Sequence, residues 1–180
     1  PLDRPSPLTA RRLGLLTAYQ DTSLVRDFTV AENVLMSFHG TRKLGVRLRR
    51  DEVSRLLEPY DMPFGLDDRV GSLSPGARQL LEVVRALVHR PKVLLLDEPT
   101  AALDAANIAR LEALIDGAIG DGIAVLYISH RLDEVQRIAR RLTVIRDGRI
   151  QGTYDQGNWA VDEIVALMVG ARTDLAFPAR

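Results

Sequence analysis

The sequence predicts an α/β fold built on a mainly parallel sheet. Short continuous apolar runs occur at residues 93–96, 123–128 and 142–145. Runs apolar on both faces suit central strands of a covered parallel sheet. Helical spacing fills the gaps. Ile108, Leu111 and Ile115 mark a helix over 105–119, and 132–140 reads as another. The resulting strand–helix–strand–helix–strand order implies right-handed crossovers.

The remaining elements follow in chain order. Ser6 reads as an N-cap with Pro7 as first helical residue, and Gly14 closes that short helix. Residues 15–19 read as a strand and 21–30 as mixed and loop-like. A helical region follows, broken by Gly40, Gly45 and Pro59, in which Val53, Leu56 and Leu57 share a helix face. Residues 71–76 form a turn cluster. Beyond it Leu80, Val84, Leu87 and Val88 fall on one face of a long helix, capped by Ser74, begun by Pro75 and stopped by Pro91. Asp147-Gly148 reads as a tight hairpin turn into residues 149–154. Residues 159–168 form a last helix ended by Gly170, and a linker-like tail follows.

Composition narrows the function classes. A chain of 180 residues can bury a real core. Lys and Arg number 24 and Asp and Glu 24, so no charge excess points to nucleic acid or an acidic membrane surface. Arg42, Lys43, Arg47, Arg49 and Arg50 form a local basic cluster that reads as a solvated helix face. Cysteine is absent, which excludes disulfides and thiolate metal sites. No run approaches the roughly 20 apolar residues that span a bilayer, and no signal peptide is visible. A membrane role is expected to be peripheral, through another protein.

Candidate chemistry gathers at the ends of these elements. Val93-Leu94-Leu95-Leu96-Asp97-Glu98-Pro99 is an apolar strand ending in adjacent carboxylates. Open α/β sheets bind ligands beyond the carboxyl ends of their strands. Asp97 sits where a carboxylate can hold Mg²⁺ through water, and Glu98 where one can polarise a water for attack on phosphorus. The same residues also read as a strand with an acidic turn. Leu73-Ser74-Pro75-Gly76 offers a hydroxyl and N–H groups at a helix start, suited to an anion or to ordinary capping. His130 could bond a terminal phosphate and sense its loss. His39 and His89 read as structural or surface residues. Gln20, after the first strand, could bind a metal or a water, or cap a turn.

In order and spacing these segments resemble the ATP-binding cassette ATPases, over essentially the whole chain. Leu73-Ser74-Pro75-Gly76-Ala77 is similar to the family signature, and residues 93–98 to its Walker B strand with the catalytic Glu. Ala101-Ala102-Leu103-Asp104 resembles the D-loop, His130 the switch His, and Gln20 the Q-loop Gln. The resemblance implies a P-loop NTPase-like cassette, here partial, with an inserted α-helical subdomain. The implied division is 1–20 for the end of an N-terminal core, 21–73 for the helical subdomain, 74–154 for the α/β core, and 155–180 for a C-terminal helix and linker.

By the same resemblance, Glu98 is the general base, and His130 orients the water and γ-phosphate. Asp97 holds Mg²⁺, and Gln20 contacts Mg²⁺ or the attacking water and links the site to the helical subdomain. Ser74 and Gly76 bind the γ-phosphate of ATP held by an opposite cassette, and Asp104 contacts that cassette across a head-to-tail dimer. Residues 81–87, 127–135, 143–149 and 167–170 resemble monosaccharide-import ATPases, whose two cassettes share one chain, and this segment resembles the first. The implied partners are transmembrane permease subunits, a second cassette and, indirectly, a periplasmic sugar-binding protein. No nucleic acid is implied. The implied place is the cytoplasmic face of a bacterial inner membrane. Nucleoside-import ATPases share much of the pattern.

The sequence departs from the family in two respects. It contains no G-x-x-x-x-G-K-[ST] loop, so little is present to hold the β- and γ-phosphates. The expectation is a truncated cassette that binds ATP weakly alone; a non-catalytic remnant is the alternative. In the signature, Pro75 stands where Gly is common and Ala77 where Gln is common. Pro75 keeps the helix start but removes one N–H.

Overall fold

The computed structural model describes residues 6–18, 23–38 and 49–170. Two compact units divide the chain, Pro1–Ile128 and Ser129–Arg180.

In the first unit, Ser6 accepts the Thr9 N–H at 3.1 Å and starts α1, Pro7–Arg12. Gly14 then takes a φ of +89°. A Cβ there would stand 3.0 Å from Lys92 Cγ, so glycine serves both the turn and the close approach. Strand β1 is Leu15–Ala18, β2 is Val93–Asp97 and β3 is Ala124–Ile128. They form a parallel sheet ordered β1-β2-β3, with Leu15 opposite Val93 and Asp97 opposite Ile128. The central strand is the apolar one, and Leu94 and Leu96 are fully buried.

Helix α2, Val30–Ser37, starts with a capping box: Thr29 accepts from Glu32 N–H, and Glu32 accepts from Thr29 N–H at 2.7 Å. Helix α3, Arg50–Leu57, buries Val53 and Leu57, as their spacing predicts. Pro59 lies in a short 3₁₀ turn, Glu58–Tyr60, that follows. Helix α4, Pro75–Leu87, is buried on more than the predicted stripe, because Leu81, Glu82 and Val83 are also covered. Helix α5, Ala105–Gly120, turns Leu111, Leu114 and Ile115 inward.

The second unit contains α6, Leu132–Ile138, strands β4, Arg141–Arg146, and β5, Arg149–Asp155, and α7, Val161–Val169. Asp147 at φ +53° and Gly148 at φ +71° make the expected tight turn between β4 and β5. Thr143 and Thr153 hydroxyls meet across the hairpin at 3.1 Å. Ile164 of α7 is fully buried, and Gly170 ends that helix at φ +80°.

The third apolar run corrects one expectation. Residues 142–145 do not extend the parallel sheet; they pair antiparallel with β5. A two-residue turn lets β4 find its partner locally, whereas a parallel partner needs a long crossover. A second correction concerns β3. It is not covered on both sides in this chain, since Leu126 is 54% and Ile128 44% exposed. No described helix is long and apolar enough to cross a membrane.

Candidate functional site: carboxylates at the end of a central strand

Asp97 is the last residue of the central strand, and Glu98 is the first beyond it. Both are half-buried, while Pro99 and Thr100 behind them are buried. Glu98 adopts a left-handed φ of +48°, uncommon for a residue with a Cβ. Its N–H donates to Ile128 O at 2.9 Å, which extends the β2–β3 ladder by one bond. Its carbonyl accepts the Ala101 N–H at 3.3 Å. Glu98 is therefore fixed at both peptide ends while the chain turns out of the sheet. The two carboxylates occupy the carboxyl end of a parallel strand, where open α/β sheets bind ligands.

Ser74 caps α4 as predicted, accepting the Ala77 N–H at 3.1 Å, with Pro75 as the first helical residue. Pro75 has no N–H and that of Ala77 is taken, so the Gly76 N–H is the donor that helix geometry leaves without an intrahelical acceptor. The α-carbon of Gly76 packs against the start of α5. A Cβ there would lie 2.8 Å from Asn107 Nδ2 and 3.4 Å from Leu103 Cδ2. Asp104 is the N-cap of α5 and accepts the Asn107 N–H at 2.9 Å. Residues 74–76 and 103–107 are thus packed together at two helix N-termini.

His130 lies in the second unit, exposed, between Ser129 and the start of α6. Gln20 lies outside the described residues, as do Arg42, Lys43, Arg47 and His39.

Sequence reasoning missed the buried carboxylate of Glu82. Glu82 is 3% exposed on α4 and pairs with Arg85 at 2.7 Å; Ser23 Oγ donates to it at 3.1 Å. The signal was present, since Glu82 interrupts the apolar run of residues 80–84 and Arg85 follows at i+3. His89 Nε2 lies 2.9 Å from Ser37 Oγ and 3.1 Å from Arg11 Nη2, and its ring lies 4.1 Å from that of Phe38. Arginine can only donate, so Nε2 is the acceptor. Burial first, then the Arg11 and Arg85 charges, lower the His89 pKa from 6.5 to about 4. The structural reading of His89 is correct. A cavity of about 360 Å³, lined by Arg11, Thr17, Ser23, Met36 and His89, adjoins these groups, and neither Asp97 nor Glu98 lines it.

The ABC transporter family model matches residues 3–101, more than half of the chain. The chain belongs to the ABC transporter family. A ribose import ATP-binding protein of Rubrobacter xylanophilus is 39% identical over 185 residues, covering 100% of this chain and 36% of that protein. One from Rhizobium meliloti is 36% identical over 174 residues, covering 97% and 34%. The ABC chain thus spans about a third of the length of these relatives. Among solved structures, a nucleotide-free ATP-binding cassette matches with a TM-score of 0.74 at 22% identity, covering 92% of this chain and 68% of that one. A cassette in its ADP conformation matches with a TM-score of 0.71 at 23% identity, covering 93% and 69%. These likenesses establish the cassette α/β fold and its parallel sheet core.

Proposed function

We propose that the chain is part of the ATP-hydrolysing subunit of a sugar importer. The observation that carries this reading is the Asp97–Glu98 pair at the carboxyl end of the central parallel strand, with Glu98 held by Ile128 O and Ala101 N–H. The sugar class rests on relatives described as ribose import proteins.

In this reading Glu98 is the general base, and His130 orients the attacking water and the γ-phosphate. Ser74 and Gly76 face ATP held by an opposing cassette, and Asp104 meets that cassette. The packing of Gly76 against Asn107 and the capping role of Asp104 would set the geometry of that meeting. Asp97 would hold Mg²⁺, with Gln20 as a second ligand. A single strand-end carboxylate fits Mg²⁺, which keeps several waters and takes few protein ligands. When bound, the ion neutralises charge on the phosphates. The helical subdomain, residues 21–73, would meet a permease, placing the assembly at the cytoplasmic face of a membrane with a periplasmic sugar-binding protein opposite.

The test uses the full-length gene product with its permease. Glu98→Gln should reduce steady-state MgATP hydrolysis at least 100-fold while leaving nucleotide binding intact. Unchanged turnover would sink the reading. Uptake assays with pentoses and hexoses against nucleosides decide between sugar and nucleoside import. The isolated 180-residue chain should show no micromolar MgATP affinity, because it has no P-loop; tight binding by that fragment would contradict the assignment of phosphate contacts.

A further inference from the structure

We propose that Glu134 is a positioning residue for His130, a role that rests on the reading of His130 given above. Glu134 lies in the first turn of α6. Its side chain is only 1% exposed, and a buried carboxylate is costly unless it is paired. Its partners include the two residues that flank His130. Ser129 Oγ donates to Glu134 Oε2 at 3.4 Å and accepts the Arg131 N–H at 3.0 Å. Arg131 Nη1 meets Glu134 Oε1 at 2.9 Å. The Glu134 N–H also returns to Arg131 O at 3.2 Å.

His130 therefore sits on a short bridge pinned at both ends to one buried carboxylate. A helix-start carboxylate serving only the helix dipole needs no burial, since that effect is present at exposed sites. An apolar side chain would fill the space at less desolvation cost. What a carboxylate adds is a hold on Ser129 and Arg131 together. A displacement of about 1 Å at a reacting group can cost on the order of 100-fold in rate, which gives such a hold a purpose.

The test is a double-mutant cycle in the full-length protein, read as kcat and KM for MgATP. His130→Ala is expected to lower kcat at least tenfold. Glu134→Gln is expected to lower kcat about tenfold with KM within twofold of the original. In the His130→Ala background it should add no further loss, because it acts through that side chain. Ser129→Ala, a milder change, should lower kcat about threefold and likewise lose its effect without His130. That variant carries the test if Glu134→Gln does not fold. Equal fractional losses in both backgrounds, or an unchanged kcat, would make Glu134 a support of the fold alone. If His130→Ala leaves kcat intact, the reading of His130 fails, and this inference with it.

Discussion

Gly76 and Asn107 stand so close that a Cβ on the glycine would lie 2.8 Å from Asn107 Nδ2. Asn107 is 8% exposed and cannot simply swing into solvent. Gly76 is thus required by packing between α4 and α5. Gly76→Ala should cost about 1 kcal/mol in denaturant unfolding: overpacking costs about 1–3 kcal/mol, partly offset by the better helix propensity of Ala. Adding Asn107→Ala should recover most of that loss, a coupling of about 1 kcal/mol. Strictly additive costs would show that the two residues do not compete for the same space.

The Glu82–Arg85 pair makes a second prediction. Glu82 is 3% and Arg85 16% exposed, and the bond between them is 2.7 Å. Arg85→Ala leaves a buried carboxylate without its cation and should cost about 3 kcal/mol. Replacing both, as Glu82→Leu with Arg85→Met, should be close to neutral, because the desolvation penalty disappears with the charges. Chemical denaturation of the single and double variants decides it. A double variant as unstable as Arg85→Ala would mean that the pair stabilises α4 beyond the repair of its own burial.

The contrast between these two sites shows how much the sequence reveals. The Ser74 cap, the Asp97–Glu98 strand end and the Asp147-Gly148 turn are local, set by residues within a few positions of each other, and each was legible. Gly76 against Asn107, and Ser23 against Glu82, join residues 31 and 59 positions apart. No period or cap encodes such meetings. The 142–145 run was misassigned for a related reason. Apolar composition marks a strand but does not say which edge it pairs with, and the hairpin turn decided that. Glu134 lay within a legible helix start, yet its burial depends on tertiary packing that spacing does not report.

His89 should make the stability depend on pH. Its folded pKa is about 4, lowered from 6.5 first by burial and then by Arg11 and Arg85. Between those values the unfolded chain binds the proton and the folded chain does not. Stability therefore rises with pH across this window. The contribution is fully present above about pH 6.5 and is lost as pH falls through about 4. His89→Gln removes the titration and keeps an acceptor for Arg11. Urea unfolding of both proteins at pH 7 and pH 5 should show a steeper fall for the original, with the difference confined to this window. Parallel pH profiles would mean that His89 binds its proton equally in both states.

The left-handed backbone at Glu98 makes the last prediction, one that separates stability from catalysis. A φ of +48° costs a residue with a Cβ about 1–2 kcal/mol relative to glycine. The strain persists because the Ile128 O and Ala101 N–H bonds hold the peptide on both sides. Glycine loses more entropy on folding, which returns part of the gain. Glu98→Gly should therefore be more stable than Glu98→Gln by about 0.5–1 kcal/mol, although both lack the carboxylate. Neither should support turnover in the full-length protein. The comparison isolates the backbone, since both variants remove the same charge. Greater stability in the Gly variant would identify the strain as a cost retained for placing the carboxylate. Equal or lower stability would mean that the turn is held without strain, and that Glu98 adopts it for local hydrogen bonding alone.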